Sequence, residues 1–157
     1  MKYGIYYAYW EKEWNGDYKY YIDKISKLGF DILEISCGAF SDYYTKDQEL
    51  IDIGKYAKEK GVTLTAGYGP HFNESLSSSE PNTQKQAISF WKETLRKLKL
   101  MDIHMVGGAL YGYWPVDYSK PFDKKRDLEN SIKNMKIISQ YAEEYDKIGR
   151  ASCRERV

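Results

Sequence analysis

The pattern of hydrophobic and polar residues divides the chain into four similar segments, each a short apolar run followed by a longer amphipathic stretch. The apolar runs predict buried strands at residues 3–9, 30–37, 62–68 and 103–110. Apolar side chains that recur every three or four positions predict a helix after each strand. The helical stripes are Tyr18, Tyr21, Ile22, Ile25 and Leu28 in the first helix, Ile88, Trp91, Leu95 and Leu98 in the third, and Leu128, Ile132, Met135, Ile138 and Ala142 in the fourth.

Residues at the helix ends add local signals to this pattern. Asp17 is a good N-cap for the first helix, and Gly29 is placed to end it. Thr45 and Gln48 form a capping-box pattern, which predicts a second helix that runs to Lys60. The sequence therefore predicts four complete strand–helix units in a row.

Strands that alternate with helices of this length predict a parallel sheet with right-handed crossovers. Two architectures fit the pattern. A doubly wound open sheet would be complete at this size, whereas a (β/α)8 TIM barrel needs about 250 residues and would be half present. Long loops after strands one, three and four favour the barrel, and no GxGxxG or P-loop motif follows any strand. We predict an α/β fold that is the N-terminal half of a TIM barrel and spans residues 1–147.

Composition and charge restrict the classes of function. The 157-residue chain has a formal net charge of +1, which disfavours a charge-driven binder of nucleic acid or of anionic membranes. No apolar run approaches the roughly 20 residues of a membrane span. Two cysteines make no disulfide framework, so we expect a cytoplasmic protein. The content of 16 Tyr and 4 Trp suits a carbohydrate ligand, although Tyr also fills half-exposed positions without a functional role.

The last ten residues differ from the rest of the chain. Every lysine precedes residue 148, whereas Arg150, Arg154 and Arg156 follow it within IGRASCRERV. This string resembles the translation of a sequencing-library adaptor. We interpret residues 148–157 as a non-native tail that takes no part in the fold, and we expect the natural gene to continue beyond Lys147. The alternative is a natural basic tail.

Parallel α/β folds bind ligands at the carboxyl ends of their strands. In this chain those positions carry aromatic and small residues rather than charged ones. Such a rim would form an apolar wall for a ligand of the size of a sugar. The residues are Tyr6, Tyr9, Trp10, Trp14, Ser36, Cys37, Gly67, Tyr68, His71, Ala109, Leu110, Tyr111, Tyr113 and Trp114.

The sequence contains no recognisable catalytic motif at these ends. The sequence has no His/Asp/Glu cluster with metal-ligand spacing, no GxSxG and no pair of carboxylates at the strand ends. Glu34 lies in the middle of the second strand, and we interpret it as a member of a structural ion pair. We interpret His71 and His104 as structural or surface residues and Cys37 as a small buried hydrophobic residue.

Five segments carry a specific resemblance. They are MKYGIYYAYWEKEW, LGFDILEIS, LTAGYGP, NESLSSSEP and VGGALYGYWPVDYSK. Together they resemble the N-terminal half of the ketose 3-epimerases, the D-psicose (D-allulose) and D-tagatose 3-epimerase family of xylose-isomerase-like barrels, in register from Met1 to about Asp146. The resemblance implies a parent enzyme that inverts carbon 3 of ketohexoses, between D-fructose and D-psicose or between D-tagatose and D-sorbose.

The resemblance also implies how the site is divided along the parent chain. Family members hold manganese or cobalt with two Glu, an Asp and a His from strands five to eight, and the two Glu move the proton at carbon 3. Those strands are not in this chain, so the resemblance implies neither a catalytic residue nor a metal ligand here. It implies substrate-binding roles for Tyr6, Trp14, Gly67, Ala109 and Trp114. The aromatic side chains would pack against the sugar, and the small ones would leave room for it.

The leading hypothesis is therefore a fragment of a ketose 3-epimerase that is inactive alone. We expect its parent to be a homo-oligomer with a ketohexose substrate and no nucleic-acid or membrane partner. Tyr68 stands where some relatives carry His, which leaves the role of that position open. The alternatives are another sugar isomerase of the same superfamily and a non-catalytic sugar-binding α/β domain.

Overall fold

The computed structural model describes residues 1–13, 16–119, 122–145 and 151–152. The strands are β1 (Gly4–Tyr6), β2 (Ile32–Ser36), β3 (Thr63–Tyr68), β4 (Val106–Gly108) and β5 (Ala151–Ser152). The α-helices are α1 (Tyr18–Leu28), α2 (Ala39–Asp42), α3 (Asp47–Glu59), α4 (Pro81–Leu100) and α5 (Lys124–Glu144), with short 3-10 helices at Tyr7–Tyr9 and Phe72–Glu74. The chain forms two compact units: the first unit is Met1–Gly67 with Arg96–Val106, and the second unit is Tyr68–Leu95 with Gly107–Val157.

The strands lie in the sheet in the order in which they occur along the chain. β1 pairs with β2 and β2 pairs with β3, both in parallel. The Ala66 amide donates to the Met105 carbonyl oxygen at 2.9 Å, next to β4. This arrangement confirms the predicted α/β fold of successive βα units. A sequential strand order is that of a barrel, whereas a doubly wound sheet reverses its order near the middle.

The first helix begins and ends where the sequence predicts. The Asp17 carboxylate accepts the amides of Lys19 and Tyr20 at 3.0 and 3.2 Å, which satisfies two of the unpaired donors of the first turn. Gly29 ends the helix in the left-handed conformation, with φ at 79°, which glycine adopts without steric cost. Four of the five predicted apolar residues of α1 are buried, and Leu28 is exposed.

The first unit has an apolar core between its strands and helices. Two ion pairs hold its elements together at the surface. Asp23 accepts the Tyr56 hydroxyl at 2.8 Å and lies 3.0 Å from the Lys60 ammonium group, while both Asp47 carboxylate oxygens accept from the Arg96 guanidinium. The buried core residues include Ile22, Ile25, Leu33, Ile35, Leu50, Ile53, Leu64, Ala66 and Leu98.

In the second unit, polar side chains on α5 add hydrogen bonds to a small apolar core that includes Trp91 and Leu76. The Asn134 amide donates to the Leu76 carbonyl oxygen at 2.8 Å, and the Ser131 hydroxyl donates to the Tyr111 carbonyl oxygen at 2.6 Å. Ile138 and Ala142 are buried as predicted. The prediction was wrong for Leu128 and Ile132, which are 60% and 49% exposed because the inner face of α5 turns Ser131 and Asn134 toward the loop carbonyls instead.

Two further predictions of element ends were wrong. β1 ends at Tyr6, and residues Tyr7–Tyr9 turn into a 3-10 helix that buries the Tyr7 ring against the rings of Tyr18 and Tyr21. The predicted capping box of Thr45 and Gln48 does not form, because α3 begins at Asp47 after Lys46, which gives no side-chain cap. The first error arises where ring packing in the folded chain competes with a local sequence signal.

The tail was expected to stay outside the fold. Within it, Ala151–Ser152 forms the short strand β5, next to β4 in the sheet order. The rest of the tail lies outside the described residues. None of the described helices is both long and apolar enough to span a membrane.

Candidate functional site

The carboxyl ends of β1, β2 and β3 bring four polar or small residues of the first unit to one face of the sheet. Tyr6 is the register partner of Glu34, and Ser36 is the register partner of Gly67. Register partners in parallel strands point to the same side, and alternate residues of one strand share a face. Tyr6, Glu34, Ser36 and Gly67 therefore form one continuous patch, which we call the first-unit patch.

Tyr6 contributes a neutral phenol to this patch. Its hydroxyl is hydrogen-bonded to the Ser36 side chain. Burial, with a smaller contribution from the nearby Glu34 carboxylate, raises the pKa of Tyr6 to about 12. The side chain is therefore protonated at neutral pH, and it offers a ligand an aromatic face together with a polar edge.

A layer of aromatic residues fixes the carboxyl end of β2 behind the patch. The Tyr18 hydroxyl donates to the Ser36 carbonyl oxygen at 3.1 Å and accepts the Ser36 amide at 3.3 Å. The Tyr18 ring stacks on Tyr44 with 4.7 Å between centroids, and the Tyr44 hydroxyl donates to the Gly16 carbonyl oxygen. Burial raises the pKa of Tyr18 well above its ordinary value, so this hydroxyl keeps its proton. These contacts hold Ser36 in a fixed position.

Glu34 is the acidic residue of the patch, and its contacts differ from the predicted ones. Its side chain is partly buried, and burial raises the pKa of the carboxyl group. No ion pair or hydrogen bond joins this carboxyl group to another residue in the described part of the chain, so the predicted structural ion pair is not found there. A Cβ atom added at Gly67 would lie 2.8 Å from Glu34 Oε1, so Gly67 is small where this carboxylate approaches the neighbouring strand.

Cys37 follows Ser36 and has no catalytic character. Its side chain is fully buried, and burial, with the nearby Glu34 carboxylate, raises the pKa of the thiol far above its ordinary value. A buried thiol that keeps its proton is a poor nucleophile. The interpretation of Cys37 as a small hydrophobic residue is confirmed.

In the second unit, the loops after β3 and β4 are tied to each other. The Ala109 amide donates to the Tyr68 carbonyl oxygen at 3.1 Å, and the Trp114 amide donates to the Pro70 carbonyl oxygen at 2.7 Å. Gly108 has a φ of 109°, and a Cβ atom there would lie 2.2 Å from the Tyr68 carbonyl oxygen, so only glycine fits. The Trp114 side chain is 62% exposed, which leaves most of its surface open to a ligand.

Tyr68 anchors the loop that follows β3. Its hydroxyl donates to Glu74 Oε2 at 2.6 Å, and the same oxygen accepts the His71 amide at 3.0 Å. The Tyr68 ring stacks on Phe90 with 5.1 Å between centroids. Glu74 was not among the predicted site residues, although its position three residues after His71 in a short turn is typical of a side chain that caps a backbone amide.

The structure distributes the predicted substrate-binding residues between the two units. Tyr6 and Gly67 lie in the first unit, on either side of Glu34. Ala109 and Trp114 lie in the second unit, where Ala109 is bonded to Tyr68 at the end of β3 and Trp114 to Pro70 in the loop after it. Trp14 lies outside the described residues.

The described residues do not form a metal site. Over residues 1–13, 16–119 and 122–145, no group of three or more His, Cys, Asp or Glu side chains is placed to hold a metal ion. Hard divalent cations need several oxygen or imidazole ligands that converge on one point. The manganese or cobalt ion that the resemblance implies therefore finds no ligand set in this part of the chain.

Comparison with known families decides the membership of the chain. A sequence profile described as "Xylose isomerase-like TIM barrel" matches residues 22–149. The chain belongs to this family. This result agrees with the sequential parallel sheet and with the resemblance found in the sequence.

The similar curated proteins include two D-psicose 3-epimerases. The enzyme from Enterocloster bolteae is 55% identical over 146 residues, which are 93% of this chain and 48% of that enzyme. The enzyme from Ruminiclostridium cellulolyticum is 48% identical over 143 residues, which are 91% of this chain and 48% of that enzyme. The chain thus spans about half the length of the curated relatives that it matches.

Solved structures give the same result for the fold. A D-psicose 3-epimerase from Clostridium cellulolyticum H10, solved with D-tagatose, matches 94% of this chain and 50% of its own, with a TM-score of 0.90 and 46% identity. A D-psicose 3-epimerase solved in the presence of D-fructose matches the same shares of the two chains, with a TM-score of 0.88 and 41% identity. Four βα units of this family therefore correspond to about half of a TIM barrel.

Proposed function

We propose that this chain is the N-terminal half of a ketose 3-epimerase, an isomerase that inverts carbon 3 of ketohexoses. The substrate pairs would be D-fructose with D-psicose and D-tagatose with D-sorbose. The observation that carries the proposal is the 55% identity to a D-psicose 3-epimerase over 146 residues. Two similar structures were solved with the ketohexoses D-tagatose and D-fructose, which supports this class of substrate.

In this proposal the chain supplies the part of the site that shapes the sugar pocket. The rings of Tyr6, Trp14 and Trp114 would pack against the carbon–hydrogen faces of the sugar, as aromatic side chains do in carbohydrate sites. Gly67 and Ala109 would leave space for the sugar chain. Support comes from the patch around Tyr6 and from the exposed Trp114 ring, which is held by its backbone bond to Pro70.

The proton transfer itself would depend on the other half of the barrel. Inversion at carbon 3 needs a base on one face of the sugar and an acid on the other, each within hydrogen-bond reach. We propose that this pair, together with a divalent manganese or cobalt ion, comes from the part of the relatives that this chain does not cover. The chain alone would then be inactive, and residues 148–157 would replace the natural continuation of a homo-oligomeric parent.

A chimeric enzyme tests this proposal directly. Residues 1–145 of this chain would be fused to the part of the Enterocloster bolteae D-psicose 3-epimerase that lies beyond the match. With added manganese or cobalt, the chimera should convert D-fructose to D-psicose, as measured by chromatography, and the unfused chain should not. The complete Enterocloster enzyme is the positive control.

Two results would contradict the proposal. A chimera that melts cooperatively but produces no D-psicose or other 3-epimer would exclude ketohexose epimerisation. Metal-dependent turnover by the purified unfused chain would instead mean that the acid and the base lie within this sequence. A preparation of an inactive relative from the same host controls for contaminating epimerase.

A further inference from the structure

The Glu34 carboxyl group has no assigned role in the fold. It lies among the carboxyl ends of β1, β2 and β3, is partly buried, and has no hydrogen bond or ion pair to any residue in the described ranges. Partial burial of a carboxylate without a partner costs free energy. A group that is retained at such a cost, on the ligand-binding side of a parallel sheet, is a candidate for contact with a ligand.

The hydroxyl groups of the first-unit patch are engaged with each other around Ser36. The Ser36 hydroxyl oxygen accepts the Gly38 amide at 3.2 Å and is hydrogen-bonded to the hydroxyl groups of Tyr6 and Tyr7. Ser36 is also held through its backbone by Tyr18. The neighbours of Glu34 therefore satisfy one another and leave its carboxylate oxygens to a donor from outside the patch.

Gly67 has no side chain at the point where the Glu34 carboxylate approaches β3. A Cβ atom at this position would lie 2.8 Å from Oε1, closer than a carbon atom and an oxygen atom approach without displacement. Gly67 has no positive φ, so its backbone conformation does not require glycine. The absence of a side chain at Gly67 is therefore explained by the position of the Glu34 carboxylate.

We propose that Glu34 is a substrate-binding residue whose carboxylate accepts hydrogen bonds from hydroxyl groups of the ketose. This inference rests on the proposed function. An ionised carboxylate only accepts hydrogen bonds, and a polyol offers several hydroxyl donors in a row. A neutral sugar therefore satisfies the carboxylate without a cationic partner. The Tyr6 ring, which is next to Glu34 in the register, would cover the adjacent carbon atoms of the same sugar.

The test substitutes Glu34 in the chimera described above. Glu34→Gln keeps the shape of the side chain and removes its charge. We expect the KM for D-fructose to rise roughly 10- to 100-fold, the range for loss of a hydrogen bond to a charged group, with a much smaller change in kcat. Glu59→Gln removes an exposed carboxylate from the end of α3, and this control should leave both constants unchanged. An unchanged KM in Glu34→Gln overturns the inference.

Deoxy sugars separate direct contact from an indirect effect. The KM for D-fructose that lacks the hydroxyl group at carbon 4, 5 or 6 would be measured in the unsubstituted chimera and in Glu34→Gln. If Glu34 accepts a hydrogen bond from one of these hydroxyls, removal of that hydroxyl raises the KM of the unsubstituted chimera several-fold more than the KM of Glu34→Gln. Equal effects in both proteins for all three sugars would overturn the inference.

The melting temperature distinguishes a substrate-binding role of Glu34 from a structural role. In a structural role, Glu34 would form an ion pair with a residue in the Enterocloster part of the chimera. Because burial raises the pKa of Glu34, the charged form is disfavoured in the fold, so Glu34→Gln should melt at the same or a higher temperature at pH 7. A clear fall in Tm for both Glu34→Gln and Glu34→Asp would reveal a structural partner and overturn the inference. A folded chimera that is inactive before any substitution overturns the proposed function together with this inference, whereas an active chimera that is insensitive at Glu34 overturns the inference alone.

Discussion

The two units of the molecule are stabilised in different ways. The first unit buries aliphatic and aromatic side chains between its strands and helices, with Leu33, Ile35 and Leu50 fully inaccessible. The second unit buries fewer apolar side chains, among them Leu76 and Trp91, together with Asn134 and Ser131, whose side chains bind loop carbonyl oxygens. The burial of apolar side chains has no preferred direction, whereas the removal of one partner of a buried hydrogen bond leaves the other partner unsatisfied. The stability of the first unit therefore depends mainly on the volume filled by its apolar side chains. The stability of the second unit depends in addition on a few directed hydrogen bonds.

The surfaces of the two units also differ in where apolar residues are exposed. In the second unit they are concentrated in the loop that follows β4 and on one side of α5. Apolar surface that is exposed in this way commonly lies against another part of a protein. The residues are Tyr111, Trp114, Val116, Tyr118, Phe122, Leu128 and Ile132.

The largest effect should follow from a cavity in the first unit. Leu33→Ala should lower the free energy of unfolding by about 3–4 kcal/mol, because it removes a fully buried side chain from the centre of the sheet. Leu128→Ala makes the same change at an exposed position of the second unit and should cost less than about 0.5 kcal/mol. Urea unfolding of both variants measures the difference. Similar losses in the two variants would contradict the exposed position of Leu128.

The next effect should come from the polar contacts of the second unit. Asn134→Ala should cost about 1–3 kcal/mol, because the Leu76 carbonyl oxygen loses its amide donor in a buried position. Asn130→Ala removes a donor to Ser77 and Ser78 that is only partly buried, so water can replace it and the cost should be smaller. Thermal melts of the two variants test this order. A reversed order would contradict the dependence of the second unit on buried bonds.

A smaller effect should follow from removal of the cap of α1. Asp17→Ala should destabilise the first unit by about 1 kcal/mol, since the amides of Lys19 and Tyr20 lose their acceptor. Asp17→Asn retains an oxygen acceptor and should recover most of this loss. Urea unfolding curves provide the measurement, and equal losses in the two variants would show that charge rather than the hydrogen bond stabilises the helix start.

The smallest effect concerns the exposed ion pairs of the first unit. Hydrogen bonds from Lys60 and Tyr56 lower the pKa of Asp23 below 3.8, and a hydrogen bond from Arg96 does the same for Asp47. A lowered pKa stabilises the fold at neutral pH, and this contribution is lost as the pH falls through the lowered value. The double variant Asp23→Asn, Asp47→Asn should therefore lose less stability than the unaltered chain between pH 5 and acid unfolding, as followed by circular dichroism. An equal acid sensitivity of the two proteins would assign the transition to other carboxylates.

Local signals allowed much of the fold to be predicted. Asp17 and Gly29 mark the ends of α1 because a cap and a left-handed residue act within one helical turn. The four strands are found where the apolar runs lie, although each is shorter than its run. The 3-10 turn at Tyr7–Tyr9 could not be predicted in this way, since it depends on where the rings of Tyr18 and Tyr21 lie in the folded chain.

The candidate site was predictable only in part. The carboxyl-end rule put Tyr6 and Gly67 among the candidate residues, and the register places both on the face of the sheet that carries Glu34 and Ser36. Glu34 was assigned an ion pair because buried carboxylates usually have one, and its lack of a partner among the described residues is a property of the tertiary structure alone. The exposure of Leu128 likewise depends on which side of α5 meets the loop carbonyls.

Gly107 and Gly108 are adjacent in the chain but differ in the substitutions that they tolerate. A Cβ atom at Gly107 would meet nothing within 4 Å, whereas one at Gly108 would collide with the Tyr68 carbonyl oxygen. A library randomised at both codons should return many residue types at the first position and glycine almost alone at the second. Of these two neighbouring positions, genetic drift and directed evolution can therefore add side chains at 107 without disturbing the contact between Gly108 and Tyr68.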